Sequence, residues 1–362
     1  MVLGGSRDLE RGKVVLFQKI IENVSKSPED ACNELLQHYS RLDTACRVRE
    51  TADRYINGSV PDLKVAVTEI LEEHAKSEQE FSETVDEGEL FIPTTAEHLV
   101  SSLMSKGTGF KWSLDLLRKS LGPMHIGDLG CIMARPNAGK TTLLVQEVLN
   151  FLLQMDDGSK AIIFNNEELG EKLYGYAYKN LINQPLAKIA LNPGKATKDF
   201  QAKLGDRRFY VEDRTNTTWG IERVLGRVKP RIIGLNLLCK VKTGGRKDAG
   251  ELETLVKLYR WARELAREHK AIVIACHQAD TSAEGEKYMS QQQLFGSKTE
   301  VQGELDVLIA IGKTQDVASL NTRWLTSCKN KQPDSAGMDP LLREGPLGEV
   351  HFDGDVARFR DK

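Results

Sequence analysis

The chain lacks any apolar run long enough for a bilayer, any paired-cysteine motif, any surplus of one charge and any internal repeat, and each absence removes a class of protein. The longest apolar stretches, such as Ala271 to Cys276, fall well short of the ~20 residues a membrane span needs. The polar N-terminus has no signal-peptide core, so the expectation is a cytoplasmic protein without a membrane partner. Six cysteines (Cys32, Cys46, Cys131, Cys239, Cys276 and Cys328) are scattered without a CxxC pair, which argues against a zinc site or a disulfide framework and for small buried hydrophobes. With 50 Lys and Arg against 52 Asp and Glu, no basic field covers the whole surface; contact with nucleic acid then requires a local patch. What is present is ordinary globular composition, 40% hydrophobic and 28% charged, in 362 residues, enough for about two domains.

From Val14 to about Phe81 apolar residues recur at helical spacing, first Phe17, Ile20, Ile21 and Val24, then Leu35, Leu36, Tyr39 and Leu42. Asn57, Gly58, Ser59 and Pro61 mark a break, after which Leu63, Val67 and Ile70 rebuild the stripe. These residues define a helical domain over 1–83. The acid-rich segment that follows, from Glu78 through Glu89 and closed by Pro93, reads as a linker over 84–98. Beyond it, over 99–362, short apolar runs at 129–134, 161–164, 209–211, 232–238, 271–276 and 307–311 alternate with amphipathic segments, the best of them Glu251 to Lys270. That alternation predicts an α/β domain with a mainly parallel sheet flanked by helices.

The densest chemistry lies between the apolar run Cys131-Ile132-Met133 and the amphipathic run that begins at Leu143. Ala134-Arg135-Pro136-Asn137-Ala138-Gly139-Lys140-Thr141 is a phosphate-binding loop with Ala where the general pattern has Gly. Backbone N–H groups at a helix start cradle phosphates, a lysine reaches the terminal oxygens and a Thr hydroxyl meets Mg²⁺. The nucleotide-binding set is Ala134, Arg135, Pro136, Asn137, Ala138, Gly139, Lys140, Thr141 and Thr142, with ATP and Mg²⁺ as the expected ligands.

Taken in order, these motifs resemble the hexameric replicative DNA helicases of the DnaB-like group, built on a RecA-type ATPase core, phage relatives included. In that group Ala commonly opens the loop. The resemblance extends over roughly 110 to 355 and implies roles for further residues. Ile163-Phe164-Asn165-Asn166-Glu167-Glu168 is similar to the strand end that carries the catalytic glutamate, which falls on Glu167. Ile272 through Gln278 resembles the strand ending in a γ-phosphate sensor, Gln278, with His277 the neighbour in a slipped register. Lys329 and Lys331 fall on the Lys-x-Arg finger that reaches a neighbouring subunit's nucleotide, with Arg343 in the same connection. DNA-facing loops fall on Lys240, Lys242, Arg246 and Lys247, and on Ser297 and Lys298. Cations on a glycine-punctuated loop track phosphates without reading bases.

Two residues depart from the family pattern. Lys331 stands where the finger carries Arg, keeping the charge but losing the planar fork. Asn236 ends the run Ile232-Ile233-Gly234-Leu235 where the family's Walker B aspartate stands beside Mg²⁺. The metal set is then Thr141 and Asn236. An amide supplies no charge, and the loss is expected to weaken the Mg²⁺-dependent step roughly tenfold. Asp213 is a stand-in displaced in strand order.

The implied activity is ATP-dependent translocation on single-stranded DNA and unwinding of a forked duplex by a homo-oligomeric, hexameric ring, with primase or other replication proteins as partners. Two alternatives stay open: a RecA-like recombinase or recombination mediator, and a nucleotide-binding helicase-loading adaptor with weak hydrolysis. A primase segment is not expected beside the helical domain and the motor.

Overall fold

Residues 44–56 form the first described helix (α1), closed by a turn at 57–59 in which Gly58 takes φ 73°. That left-handed conformation suits glycine, which has no Cβ to clash with its own backbone. The computed structural model describes residues 44–59, 61–85, 109–243, 251–294, 300–332 and 344–362. It divides into two units, Met1–Thr94 and Thr95–Lys362. In the first unit, Asp62 accepts bonds from the N–H groups of Lys64 (2.9 Å) and Val65 (3.2 Å) and so starts the helix Leu63–Val85 (α2). Ile70 is buried, and Arg47 of α1 pairs with Glu73 of α2. The acidic run begins inside α2 rather than after it, because glutamate is a good helix former. The helical pattern expected between Val14 and Leu42, and the linker from residue 86 onward, lie outside the described residues.

The second unit is built on one sheet. Its parallel strands are Leu129–Ala134 (β1), Lys160–Asn165 (β2), Arg208–Glu212 (β3), Ile232–Asn236 (β4), Ile272–Gln278 (β5) and Val307–Gly312 (β6). Antiparallel strands Thr322–Asn330 (β7), Gly345–Asp353 (β8) and Arg358–Asp361 (β9) extend one edge. The order is β3-β2-β4-β5-β1-β6-β7-β8-β9. The six apolar runs of the sequence become β1 to β6. Each is buried on both faces except edge strand β3, which explains why they read as continuous rather than alternating hydrophobic runs.

Helices Lys140–Gln154 (α4), Gly170–Ile182 (α5), Leu186–Leu191 (α6) and Pro193–Leu204 (α7) follow the short helix Asp115–Leu121 (α3). α4, α5 and α7 cover one face through Leu143, Val148, Leu173 and Phe200. Thr218–Val228 (α8) and Glu251–Glu268 (α9) cover the other through Ile221, Tyr259, Ala262 and Leu265. Fully burying each such large apolar side chain contributes about 1.5–3 kcal/mol, so both faces of the sheet are held firmly between helical layers. α9 matches the amphipathic segment read from the sequence, with Leu252 turned outward at 53% exposure. A short helix, Glu300–Glu304 (α10), precedes β6.

Candidate nucleotide site

Parallel pairing brings the C-terminal ends of β1, β2, β4 and β5 to one edge, with Ala134 opposite Gln278 and Asn165 opposite Asn236. The phosphate loop leaves β1 there and enters α4, whose 15 residues place a helix N-terminus at the loop. Asn137 takes φ 59° and Gly139 φ 106°. A Cβ at residue 139 would lie 2.7 Å from Phe359 Cζ and 3.1 Å from Phe352 Cε2, so both backbone and space require glycine. Arg323 of β7 is buried, stacks 4.6 Å over the Phe352 ring and donates from Nε to Ala138 O at 2.9 Å. Arg135 pairs with Glu284 at 2.8 Å and donates to Ala279 O at 3.1 Å, which fastens the start of the loop. Lys140 and Thr142 occupy the first turn of α4, nearly buried.

Beyond the ends of β2, β3 and β4 is a cleft of about 400 Å³ lined by Asn165, Asn166, Glu167, Glu168, Asp213 and Lys240, among others. Glu167 is exposed in it, whereas Glu168 is paired with Lys172 at 2.9 Å. The two neighbouring carboxylates are thereby separated, and the one free to meet a ligand is Glu167. Thr141 Oγ1 donates to Asn236 Oδ1 at 3.4 Å, and Asn236 Nδ2 donates to Asn165 Oδ1 at 2.9 Å. Asn165 Nδ2 in turn donates to Glu168 O at 2.6 Å. Asn166 Nδ2 is buried, lines the cleft and has no hydrogen-bond partner. Among the described residues no group of His, Cys, Asp and Glu is arranged to hold a metal alone. The donor set, one hydroxyl backed by an amide, fits a Mg²⁺ that arrives with nucleotide phosphates and keeps several waters.

His277 and Gln278 are separated by the pleat. His277 is fully buried and bonds through Nδ1 to Tyr259 Oη at 2.9 Å on the α9 face. Gln278 lies at the strand end beside the phosphate loop, on the α4 face. Asp213 does not replace the missing carboxylate at 236: its Oδ2 accepts from Gly170 N at 2.6 Å, anchoring the start of α5 two strands away from β4. Leu237, directly after Asn236, is buried with φ 59°, a strained turn for a bulky residue.

The basic candidates fall into three groups. Lys240 lines the cleft, and Lys242 is exposed while its backbone bonds to Asn216 and Thr218. Arg246, Lys247, Ser297, Lys298 and Arg343 lie outside the described residues. Lys329 and Lys331 sit at the opposite edge of the sheet, because β7 runs antiparallel to β6 and pairs Asn330 with Val307 near the start of β1. In register Lys329 lies level with Cys131, three residues or about 10 Å from the Ala134 end of β1, and Lys331, two residues further on, about 16 Å from it. Burial and the neighbouring Lys331 push the half-buried Lys329 ammonium down to about 8. Lys331 Nζ donates to Gly303 O at 2.7 Å.

Three contributors were not legible beforehand. Asn165 ends β2 as a buried polar residue, and only that contrast with its apolar strand marks it. Arg323 and the Phe352–Phe359 pair come from strands whose mixed polarity hides them.

A phosphate loop at the head of a doubly covered parallel sheet, with Glu167 just past the end of β2 at the same edge, is the arrangement of a RecA-type P-loop fold. The comparisons with known proteins narrow the class. The replicative DNA helicase DnaB of Pasteurella multocida (strain Pm70) is 24% identical across 76% of this chain and 59% of its own length. The chain thus matches about three fifths of that curated relative. A solved ATPase domain superposes with a TM-score of 0.58 at 14% identity, covering 73% of this chain and 96% of that one. A DnaB-like replicative helicase, solved in a study of its interactions with primase, gives a TM-score of 0.58 at 14% identity over 93% of this chain and 80% of that one. No family model matches the chain. In sequence the chain is similar to a DnaB helicase, and in fold to DnaB-like helicase structures.

Proposed function

We propose that this chain is the motor subunit of an ATP-driven replicative DNA helicase that assembles as a homo-oligomeric, hexameric ring around single-stranded DNA. The observation that carries the reading is the division of the site between two edges of one sheet. The phosphate loop, Glu167 and Gln278 share the C-terminal edge, while Lys329 and Lys331 stand at the other. Cations set about 10–16 Å back along the strands from their own phosphate loop fit a role at a neighbour's nucleotide, which calls for head-to-tail subunits.

In this reading, Lys140 and the N–H groups entering α4 receive the phosphates of ATP, and Thr141 with Asn236 faces Mg²⁺. The metal, when bound, neutralises phosphate charge. Glu167 orients and deprotonates the attacking water, a role worth about 10²–10⁴ in rate. Gln278 senses the terminal phosphate at the strand end, and the neighbour's Lys329 and Lys331 stabilise charge in the transition state, worth about 10³–10⁵ where such cations have been removed. Lys240 and Lys242, with Arg246, Lys247, Ser297 and Lys298, contact the DNA backbone. The helical unit and its linker supply contacts between subunits or with primase, and the assembly works in the cytoplasm; no helix among the described residues is long and apolar enough to cross a membrane.

Lys140→Ala is expected to abolish ATP-dependent unwinding of a forked duplex, and Glu167→Gln to abolish turnover while nucleotide binding persists. Unwinding by the Lys140 variant at the native rate overturns the assignment. The neutral Asn236 favours a second reading, a nucleotide-binding loading adaptor with weak hydrolysis. Turnover stimulated by single-stranded DNA in the native sequence removes it.

A further inference from the structure

The two asparagines at the ends of β2 and β4 are donors and acceptors that fit each other in one orientation. The Glu168 carbonyl can only accept, so the Asn165 group facing it at 2.6 Å is the amide NH₂. Asn165 Oδ1 then faces Asn236, which must present its own Nδ2 at 2.9 Å. Asn236 Oδ1 is left for the Thr141 hydroxyl at 3.4 Å. Asn165 Oδ1 also lies 3.5 Å from the N–H of Glu167 and so closes the turn that carries that carboxylate. Both side chains are buried, at 1% and 0% exposure, where water cannot replace a lost partner.

We propose that Asn165 and Asn236 are a matched pair of positioning residues that ties the turn bearing Glu167 to the Thr141 hydroxyl, so that the amide at 236 depends on the amide at 165. The inference rests on the reading of Glu167 given above. An aspartate at 236 would set a carboxylate oxygen against Asn165 Oδ1. Turning Asn165 over to meet it would set that carbonyl oxygen against Glu168 O. Either way a buried acceptor loses its donor, and the turn moves. A hydroxyl at 165 removes the conflict, because it can donate to a carboxylate. The neutral Asn236 is thus half of a two-residue arrangement rather than an isolated loss of charge, and restoring the charge alone harms the site.

The test uses the full chain in four forms: native, Asn236→Asp, Asn165→Ser and the double variant. Asn236→Asp is expected to lower kcat roughly tenfold while KM for Mg-ATP does not rise, since the added charge favours the metal as it disturbs the turn. The double variant is expected to regain most of that loss. Melting of the four nucleotide-free proteins is expected to show the same non-additivity, with the double variant above the sum of the single shifts. If Asn236→Asp does not fold, Asn165→Ser alone carries the test, with kcat lowered at unchanged KM; an unaltered kcat overturns the pairing. Turnover by Asn236→Asp at or above the native rate, or strictly additive variants, also overturns it. Equal turnover by native protein and Glu167→Gln locates the failure in the reading of Glu167 instead.

Discussion

Replacing Gly139 by alanine separates two costs that meet at one atom. The new Cβ would stand 2.7 Å from Phe359 Cζ, 3.1 Å from Phe352 Cε2 and 3.2 Å from Phe359 Cε2. The rings lie on β8 and β9, and Phe359 is 1% exposed, so it has no room to swing into solvent. Overpacking of this kind costs about 1–3 kcal/mol. The φ of 106° adds about 1–3 kcal/mol of strain for a residue with a side chain. The sum, about 2–6 kcal/mol, falls on the phosphate loop, the element most easily displaced, so nucleotide affinity drops before the sheet unfolds. Binding of a fluorescent ATP analogue is expected to weaken about a hundredfold, the low-to-middle part of that range. Phe359→Leu in the alanine background opens the space but leaves the backbone strain, so it is expected to recover only part of the affinity. Native affinity in Gly139→Ala, or complete recovery with Phe359→Leu, would refute the assignment of these two costs.

Other outcomes follow from the same geometry. Arg323→Met keeps the buried stem but removes the donor to Ala138 O, so nucleotide affinity is expected to fall about tenfold with a smaller change in melting temperature. Lys329, with its ammonium lowered to about 8, loses its charge as pH rises through that value, so ring turnover on single-stranded DNA is expected to fall above pH 8 in a rate profile. Lys329→Arg is expected to abolish that fall, since a guanidinium stays charged. The linked effect on stability has the opposite sign: between about 8 and 10.5 the unfolded chain binds the proton that the folded chain has released, so Lys329 favours the folded state more as pH rises. Melting curves across that window check it.

The phosphate-loop motif was legible because it is contiguous: its glycine, Lys140 and Thr141 stand at adjacent positions. β1 to β6 were legible because strands covered on both faces must be apolar throughout. β7 to β9 were not, since an antiparallel edge mixes Arg323, Thr326 and His351 with its apolar residues and carries no continuous run. The roles of His277 and Gln278 are separated by the alternation of a strand, which sequence gives only once the face is known. The pleat buries one against Tyr259 and sets the other at the edge.

Alone, then, the sequence determined the covered parallel sheet, the phosphate loop and the resemblance to DnaB-like helicases, since each depends on residue type and near neighbours along the chain. Tertiary structure decided what depends on pairing across the sheet. It set Asn165 against Asn236 from 71 residues away, fixed Gly139 beneath two phenylalanines from the far end of the chain, and placed Lys329 and Lys331 at the edge opposite their own phosphate loop. The physical reason is strand direction and register. They determine which side chains meet at an edge, and no local pattern of residues encodes them.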